Sequence, residues 1–297
     1  MGLPGHKSLT KAGELGIINS ERSFWYPREV LRRIFTFQAR AEGRFMRTLV
    51  AIPIYNENQH VRDVLERVAV HAPNILILDD GSTDNTPEVL EALREDIEFD
   101  LIRHEANAGY GRAIREIFNR ASRDGYDWVI TMDCDFQHEP ERIPDFLDRI
   151  EQDDLDIISG SRYLQHGEEW AKDLPPGDRR AINQTLTKEI NQRLGFKLTD
   201  SFCGFKAHRV SAMAKMDLND DGYAFPMQLW VQAAANNLRV GEIPVELIYN
   251  DPNRTFGGGL DDPETRLKHY RCVLYRAMDR VIDRLPKDAD AKLLADC

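Results

Sequence analysis

Residues 48–57 read TLVAIPIYNE. A short apolar run that stops at an aromatic ring, an amide and a carboxylate predicts a strand buried on both faces, with its polar chemistry beginning where it ends. The pattern repeats downstream. Asn74–Asp79 (NILILD) runs into Asp80-Gly81-Ser82-Thr83-Asp84, and a weaker strand over Asp100–His104 leads to Asn107-Ala108-Gly109-Tyr110-Gly111-Arg112-Ala113. Trp128–Asp133 (WVITMD) runs into Cys134-Asp135-Phe136-Gln137-His138, and Asp156–Gly160 makes a fifth strand. Helical periodicity fills the intervals Gln59–Val70, Thr86–Arg94, Gly111–Ser122 and Pro140–Glu151. Strands separated by crossover helices predict an α/β fold with a mostly parallel, doubly wound sheet.

Outward from that frame the pattern loosens. Helices are predicted over Arg180–Leu194 and Phe225–Asn236, and a strand pair or one bent strand over Arg239–Tyr249, interrupted at Pro244. An amphipathic helix over residues 264–284 ends the fold. Upstream, residues 1 to about 23 read as an aperiodic tail. From Pro27 to Arg47, Val30, Leu31, Ile34 and Phe35 fall at helical spacing beside several arginines. The expected domains are therefore a tail and amphipathic helix (1–47), a catalytic domain (48–258), and a C-terminal amphipathic helix with its tail (259–297).

Composition narrows the function. A net charge of −11 argues against nucleic acid as a partner. The four cysteines lie far apart and read as unpaired thiols of a reducing compartment. No leader-like or spanning apolar run occurs, which predicts a cytoplasmic protein, free or peripheral at the inner face of a membrane. Both terminal helices are basic and amphipathic, which suits either an anionic bilayer surface or packing on the domain or on a second subunit.

Ligands of such sheets bind beyond the carboxyl ends of the strands, and four consecutive ends here carry polar clusters. Asp133-x-Asp135-x-Gln137 can converge three oxygen ligands on a hard cation, Mg²⁺ or Mn²⁺, that bridges a diphosphate. The alternative is a solvated acidic loop before Pro140. Asp80 ends an apolar strand, where an unused carboxylate is costly, and can accept from a nucleobase, while Thr83 or Asp84 caps the next helix. Pro53, Tyr55 and Glu57 suit a base or ribose, although Glu57 could simply be a helix N-terminal acid.

These runs (PIYNE, LDDGSTD, NAGYGRA, MDCDFQHEPE), followed by SGSRY (159–163), TDSFCGFKAHR (199–209), GYAFPMQL (222–229) and GEIPVELIYNDPNRTFG (241–257), resemble the inverting GT-A glycosyltransferases of family 2. Within that family the resemblance is to the polyprenyl-phosphate mannose or glucose synthases. It implies a nucleotide-sugar donor held by Pro53, Tyr55, Glu57, Asp80 and Asp133, and a metal at Asp133, Asp135 and Gln137, Asp135 being catalytic. It implies a lipid-phosphate acceptor met by a catalytic Arg162 with Arg179 or Arg180, and Arg254 on the donor diphosphate. For Arg162 the plain alternative is a salt bridge. Many relatives with soluble acceptors carry a catalytic acid near residues 225–230, and the polyprenyl-phosphate group often has a Glu at the position of Gln228; this chain has no acid between Tyr223 and Val240. A hydroxyl nucleophile needs a base and a phosphate monoester does not, so the gap fits a phosphate acceptor. Were the acceptor a soluble saccharide instead, Asp220 or Asp221 would be the base to look for. A non-catalytic nucleotide-sugar binder is a third possibility, disfavoured by the complete Asp133/Asp135/Gln137 set. Gly257-Gly258-Gly259 suggests a lid.

Overall fold

The computed structural model describes residues 14–19, 22–27, 46–135, 138–164, 177–246, 248 and 258–289. It divides into two units, Met1–Met46 and Arg47–Cys297. In the first, β1 (Glu14–Asn19) and β2 (Arg22–Pro27) pair antiparallel, with Glu14 opposite Pro27 and Asn19 opposite Arg22. A hairpin thus stands where the sequence reads as a tail. The helix expected from Pro27 to Arg47 falls almost wholly outside the described residues.

The second unit holds a seven-stranded sheet. Its strands are β3 (Thr48–Ile54), β4 (Ile75–Asp79), β5 (Asp100–Arg103), β6 (Trp128–Thr131), β7 (Ile157–Ser161), β8 (Lys206–Arg209) and β9 (Val240–Pro244), in the order β5-β4-β3-β6-β8-β7-β9. β3 pairs parallel with both β4 and β6, β4 with β5, and β7 with β9; β8 runs antiparallel to both β6 and β7. Every residue of β4, β6 and β7 is buried, as expected of strands covered on both faces.

Helices α1 (Val61–His71), α2 (Thr86–Leu93), α3 (Tyr110–Arg123) and α4 (Ile143–Ile150) supply the crossovers. α1 buries Val61, Val64, Leu65 and Val68, one stripe at helical spacing. α5 (Gly177–Leu194), the short α6 (Val210–Met213), α7 (Phe225–Ala235) and α8 (Pro263–Asp279) complete the fold. The chain moves from β3 outward to β5, then returns through α3 to β6 on the other side of β3. Beyond the carboxyl ends of β3 and β6 lies the crevice that such a reversal opens.

α8 settles one alternative for its described residues. Tyr270, Leu274 and Met278 are buried in the hydrophobic core with Trp230 of α7. Exposing those three side chains would forfeit on the order of 5–9 kcal/mol, so this stripe belongs to the domain and not to a bilayer. No helix among the described residues is long and apolar enough to cross a membrane. Cys272 is disulfide-bonded, which corrects the expectation of four unpaired thiols. Cys134 and Cys203 are buried thiols outside any disulfide.

Candidate active site

The turns after β3 and β4 hold each other. Asn56 adopts φ 58°, a left-handed conformation that asparagine tolerates. From there its Oδ1 accepts the amides of Thr83 (2.8 Å) and Asp84 (3.3 Å). In return the amide of Asn56 donates to Ser82 Oγ (2.9 Å) and that of Glu57 to Thr86 Oγ1 (2.9 Å). Asp84 accepts the amides of Thr86 and Asn58, while Asn85, not Thr83 or Asp84, is the N-cap of α2 and makes no side-chain cap hydrogen bond. Glu57 Oε2 lies 2.8 Å from His60 Nδ1.

Asp80, 4 % exposed, accepts the amides of Ala108 (2.9 Å) and Gly109 (2.8 Å) and faces His104 Nδ1 at 2.6 Å. The other ring nitrogen of His104 lies 2.9 Å from Glu116 Oε2. Carboxylates only accept, so both nitrogens carry protons and His104 is an imidazolium. Burial lowers its pKa, but the hydrogen bonds to Asp80 and Glu116 outweigh burial and the net shift is upward. Asp79, fully buried, accepts the Ser82 amide; its Oδ2 lies 3.3 Å from Arg103 Nε without hydrogen-bond geometry.

Asp133 and Asp135 follow β6. The Asp133 amide donates to His138 Nδ1 (3.1 Å). Burial favours neutral imidazole at His138, whereas Cys203, Asp133 and Asp135 pull its pKa up to about 9. The antiparallel β8 brings its amino end to this same edge. A Cβ on Gly204 would stand 2.2 Å from Asp133 Oδ2, so the position has room for glycine alone while Asp133 keeps its place. Burial first, then Asp133, Cys203 and Asp135, hold the Tyr110 hydroxyl well above its usual pKa.

Glu57, Asp80, Tyr110, Asp133, Asp135 and Gly204 line one cavity of about 360 Å³. Its acidic lining is Glu57, Asp80, Asp133 and Asp135; its basic lining is Arg162, Arg179, Lys206 and Arg266, with the buried His138 and His208. His208 is pushed down to about 3 by burial and by Lys206, so it stays neutral. Lys206 donates to the Cys203 carbonyl and lies 5.5 Å from the Trp230 ring centroid. Aromatic rings finish the wall: Tyr110 stacks on Tyr223 (6.2 Å between centroids), and Phe202 lies 5.1 Å from Tyr270.

The sequence matches the family model described as "Glycosyl transferase family 2" over residues 49–216. The chain belongs to that family. It is 32% identical over 208 residues to the polyprenol monophosphomannose synthase of Mycolicibacterium smegmatis, covering 67% of this chain and 76% of that one. It is 30% identical to the undecaprenyl-phosphate mannosyltransferase of Micrococcus luteus over 211 residues, 68% of this chain and 84% of that one. Among solved structures, the glucosyl-3-phosphoglycerate synthase of Mycobacterium tuberculosis, in complex with Mn²⁺, UDP and glucosyl-3-phosphoglycerate, superposes with TM-score 0.59 at 15% identity, covering 83% of each chain. That likeness shows a GT-A-like fold. The protein is a glycosyltransferase.

In this family 2 glycosyltransferase the crevice gathers Pro53, Tyr55, Glu57, Asp80, Asp133, Asp135, Arg162 and Arg179 from the sequence-derived set. Gln137 and Arg254 lie outside the described residues. Arg180 is absent from the lining, and its buried Nε has no hydrogen-bond partner.

Arg162 differs most from expectation. Its Nε (2.6 Å), Nη2 (3.0 Å) and amide (3.2 Å) all donate to Asp200, which is fully buried. The guanidinium fork therefore already holds a carboxylate, and that partner keeps the Asp200 carboxyl far below its usual range against the opposing effect of burial. Gln228 does not line the cavity: its Oε1 accepts the amides of Asn219 (2.7 Å) and Asp220 (2.9 Å). Asp220 and Asp221 are also absent from the lining.

Gly204, Lys206, Asp200 and Arg266 escaped sequence reasoning as site residues. The first three sit in TDSFCGFK, where a lysine between apolar neighbours was the available signal. Arg266 heads an amphipathic helix, where arginine ordinarily faces water.

Proposed function

We propose that this chain transfers a hexose, with inversion, from a GDP-mannose or UDP-glucose type of donor to a polyprenyl phosphate. The observation that carries the proposal is the segregation of charge in the cavity. Among the described residues, every lining carboxylate comes from residues 57–135 and every lining arginine or lysine from residues 162–266. A hydroxyl nucleophile would call for a base on the cationic side, where the described lining is arginine and lysine. A phosphate monoester brings its own charge, and guanidinium groups suit its oxygens. The names of the two mannosyl-transferring relatives support the same acceptor class.

On the acidic side, Pro53, Tyr55 and Glu57 would face the nucleoside. Asp80 already accepts three donors. That leaves about one of its roughly four acceptor sites for a nucleobase, so its second task is to hold residues 108–109 as cavity wall. Asp133 and Asp135, with Gln137, would hold Mg²⁺ or Mn²⁺. Among the described residues no group of three His, Cys, Asp or Glu is arranged for a metal, yet a pair of carboxylates completed by substrate phosphates is a donor set that such ions accept. The ion would neutralise charge on the departing diphosphate. Arg162 and Arg179 would orient the acceptor phosphate. One of its oxygens bonds the anomeric carbon from the cationic side as the diphosphate oxygen leaves on the acidic side. Arg180 would support that contact from α5, and Arg254 would reach the diphosphate.

A lipid acceptor calls for work at a membrane surface, where sedimentation with anionic liposomes should be reversed by salt. The deciding experiment offers a nucleotide-sugar panel with Mn²⁺ to a short-chain polyprenyl phosphate and, in parallel, to a soluble sugar hydroxyl. Labelled product should form on the lipid phosphate. Product on the hydroxyl acceptor alone would sink the proposal.

A further inference from the structure

Glu242 lies on β9, opposite Ser159 of β7, and does not line the cavity. Burial raises its carboxyl pKa against the hydrogen bonds it accepts, and those bonds all come from one place. The Thr199 amide donates to both of its oxygens (3.0 and 2.8 Å), the Asp200 amide to Oε1 (3.0 Å), and the Thr199 hydroxyl to Oε2 (2.8 Å).

Two paths leave this knot, and both end on Arg162. Along the first, the fixed Asp200 receives Nε, Nη2 and the amide of Arg162, steadied by Asn183 Nδ2 at 2.8 Å. Along the second, the direction of every proton is determined. The Thr199 proton is committed to Glu242, so Ser161 Oγ must donate across the 2.5 Å to Thr199 Oγ1. The lone pairs of Ser161 Oγ are then left to accept the amides of Tyr163 (3.2 Å) and Leu164 (3.1 Å). Those amides belong to the turn that carries Arg162. Glu242 thus grips the side chain of Arg162 through Asp200 and its backbone through Thr199 and Ser161.

We infer that Glu242 is a positioning residue for Arg162: it fixes the acceptor-side guanidinium from outside the cavity, and so governs recognition of the acceptor phosphate and not of the donor. A glutamine there keeps the shape, but it turns an amide donor toward the Thr199 hydroxyl or toward the backbone amides, and the proton order of the second path is lost. Thr199→Val breaks the second path and spares the first.

The inference rests on the proposed phosphate acceptor, and the experiment separates the two. Transfer to a short-chain polyprenyl phosphate is measured for wild type, Glu242→Gln, Thr199→Val, Arg162→Ala and the double variants Glu242→Gln/Arg162→Ala and Thr199→Val/Arg162→Ala, with nucleoside diphosphate affinity alongside. Glu242→Gln should raise the acceptor KM about tenfold, the scale of hydrogen bonds to a charged group. Thr199→Val should raise it less, and donor affinity should hold within about twofold in both. In the Arg162→Ala background neither substitution should add to the loss, since each acts through that side chain. Unchanged acceptor KM in a folded Glu242→Gln, an equal loss of donor affinity, or additive losses in the double variant would overturn the inference. If Glu242→Gln does not fold, Thr199→Val decides by the same criteria. Failure of wild type to use any lipid phosphate would instead remove the acceptor proposal.

Discussion

The acidic wall of the cavity is built from consecutive strand ends, while the cationic wall is gathered from β7, β8, α5 and a helix near the end of the chain. The two walls are held differently. Glu57 and Asp80 sit in turns stitched by backbone amides. Arg162 and Arg266, both largely buried, are fixed by ion pairs, to Asp200 and to Asp178 (2.6 Å). An amide lattice tolerates side-chain change at its rim; a buried guanidinium does not tolerate loss of its carboxylate, because that strands a charge in a medium of low dielectric.

That contrast is open to attack by substitution. Asp200→Asn leaves Arg162 without its counter-charge and should destabilise the fold by about 3–5 kcal/mol, read by chemical denaturation. A loss under about 1 kcal/mol would mean that Arg162 finds solvent, and the cationic wall is softer than described.

Asp135→Ala should leave stability nearly unchanged and lower transfer by about 10²–10³, the cost of one preorganised electrostatic contact. Mn²⁺-dependent binding of UDP or GDP, followed by calorimetry, should fall with it; unchanged affinity would remove Asp135 from the metal site.

Gln228→Glu tests whether an acid at this position, behind the described cavity lining, can serve a hydroxyl acceptor. The new carboxylate would replace an amide that donates to Asn219 Oδ1 (2.9 Å). A loss of about 1–3 kcal/mol in stability is expected, with no gain of transfer to hydroxyl acceptors. Such a gain would show that this position does reach the substrate.

Gly204→Ala forces the Asp133 carboxylate aside and should weaken Mn²⁺-dependent nucleotide binding about tenfold, the scale seen when a group that orients a ligand is disturbed.

The smallest expected effect is a pH dependence at His104. Its folded pKa is raised, so its stabilisation is complete below the unfolded value and fades as pH rises through the folded one. The stability difference between wild type and His104→Gln should therefore shrink as pH rises from the ordinary histidine value through the raised one. A difference that grows with pH would contradict the imidazolium bridge.

How much of this was legible in the sequence follows the same division. β3, β4, β6 and β7 announced themselves because parallel strands covered on both faces must be apolar, and the acidic residues at their ends then located one wall. β8, Lys206–Arg209, reads KAHR, with a buried lysine and a buried histidine. No periodicity distinguishes such a strand, and its antiparallel direction depends on contacts with β6 and β7 that lie far away in sequence. The salt-bridge alternative for Arg162 could be written down from the chain, but Asp200 as its partner could not. The two stand 38 residues apart, and only the fold specifies how the loop after α5 returns to the end of β7. Gln228 read as a vacant catalytic position, whereas its amide is a loop fastener. The hairpin over residues 14–27 was missed because its strands show no clear alternation.

Arg266 and Tyr270 line the cavity from α8, beyond the region shared with the family at large. Truncating the chain at the family boundary would therefore strip wall from the cavity, the buried Arg266 with it. If the two walls serve acceptor and donor as proposed, acceptor preference could change through a late-encoded helix while the strand ends stay as they are.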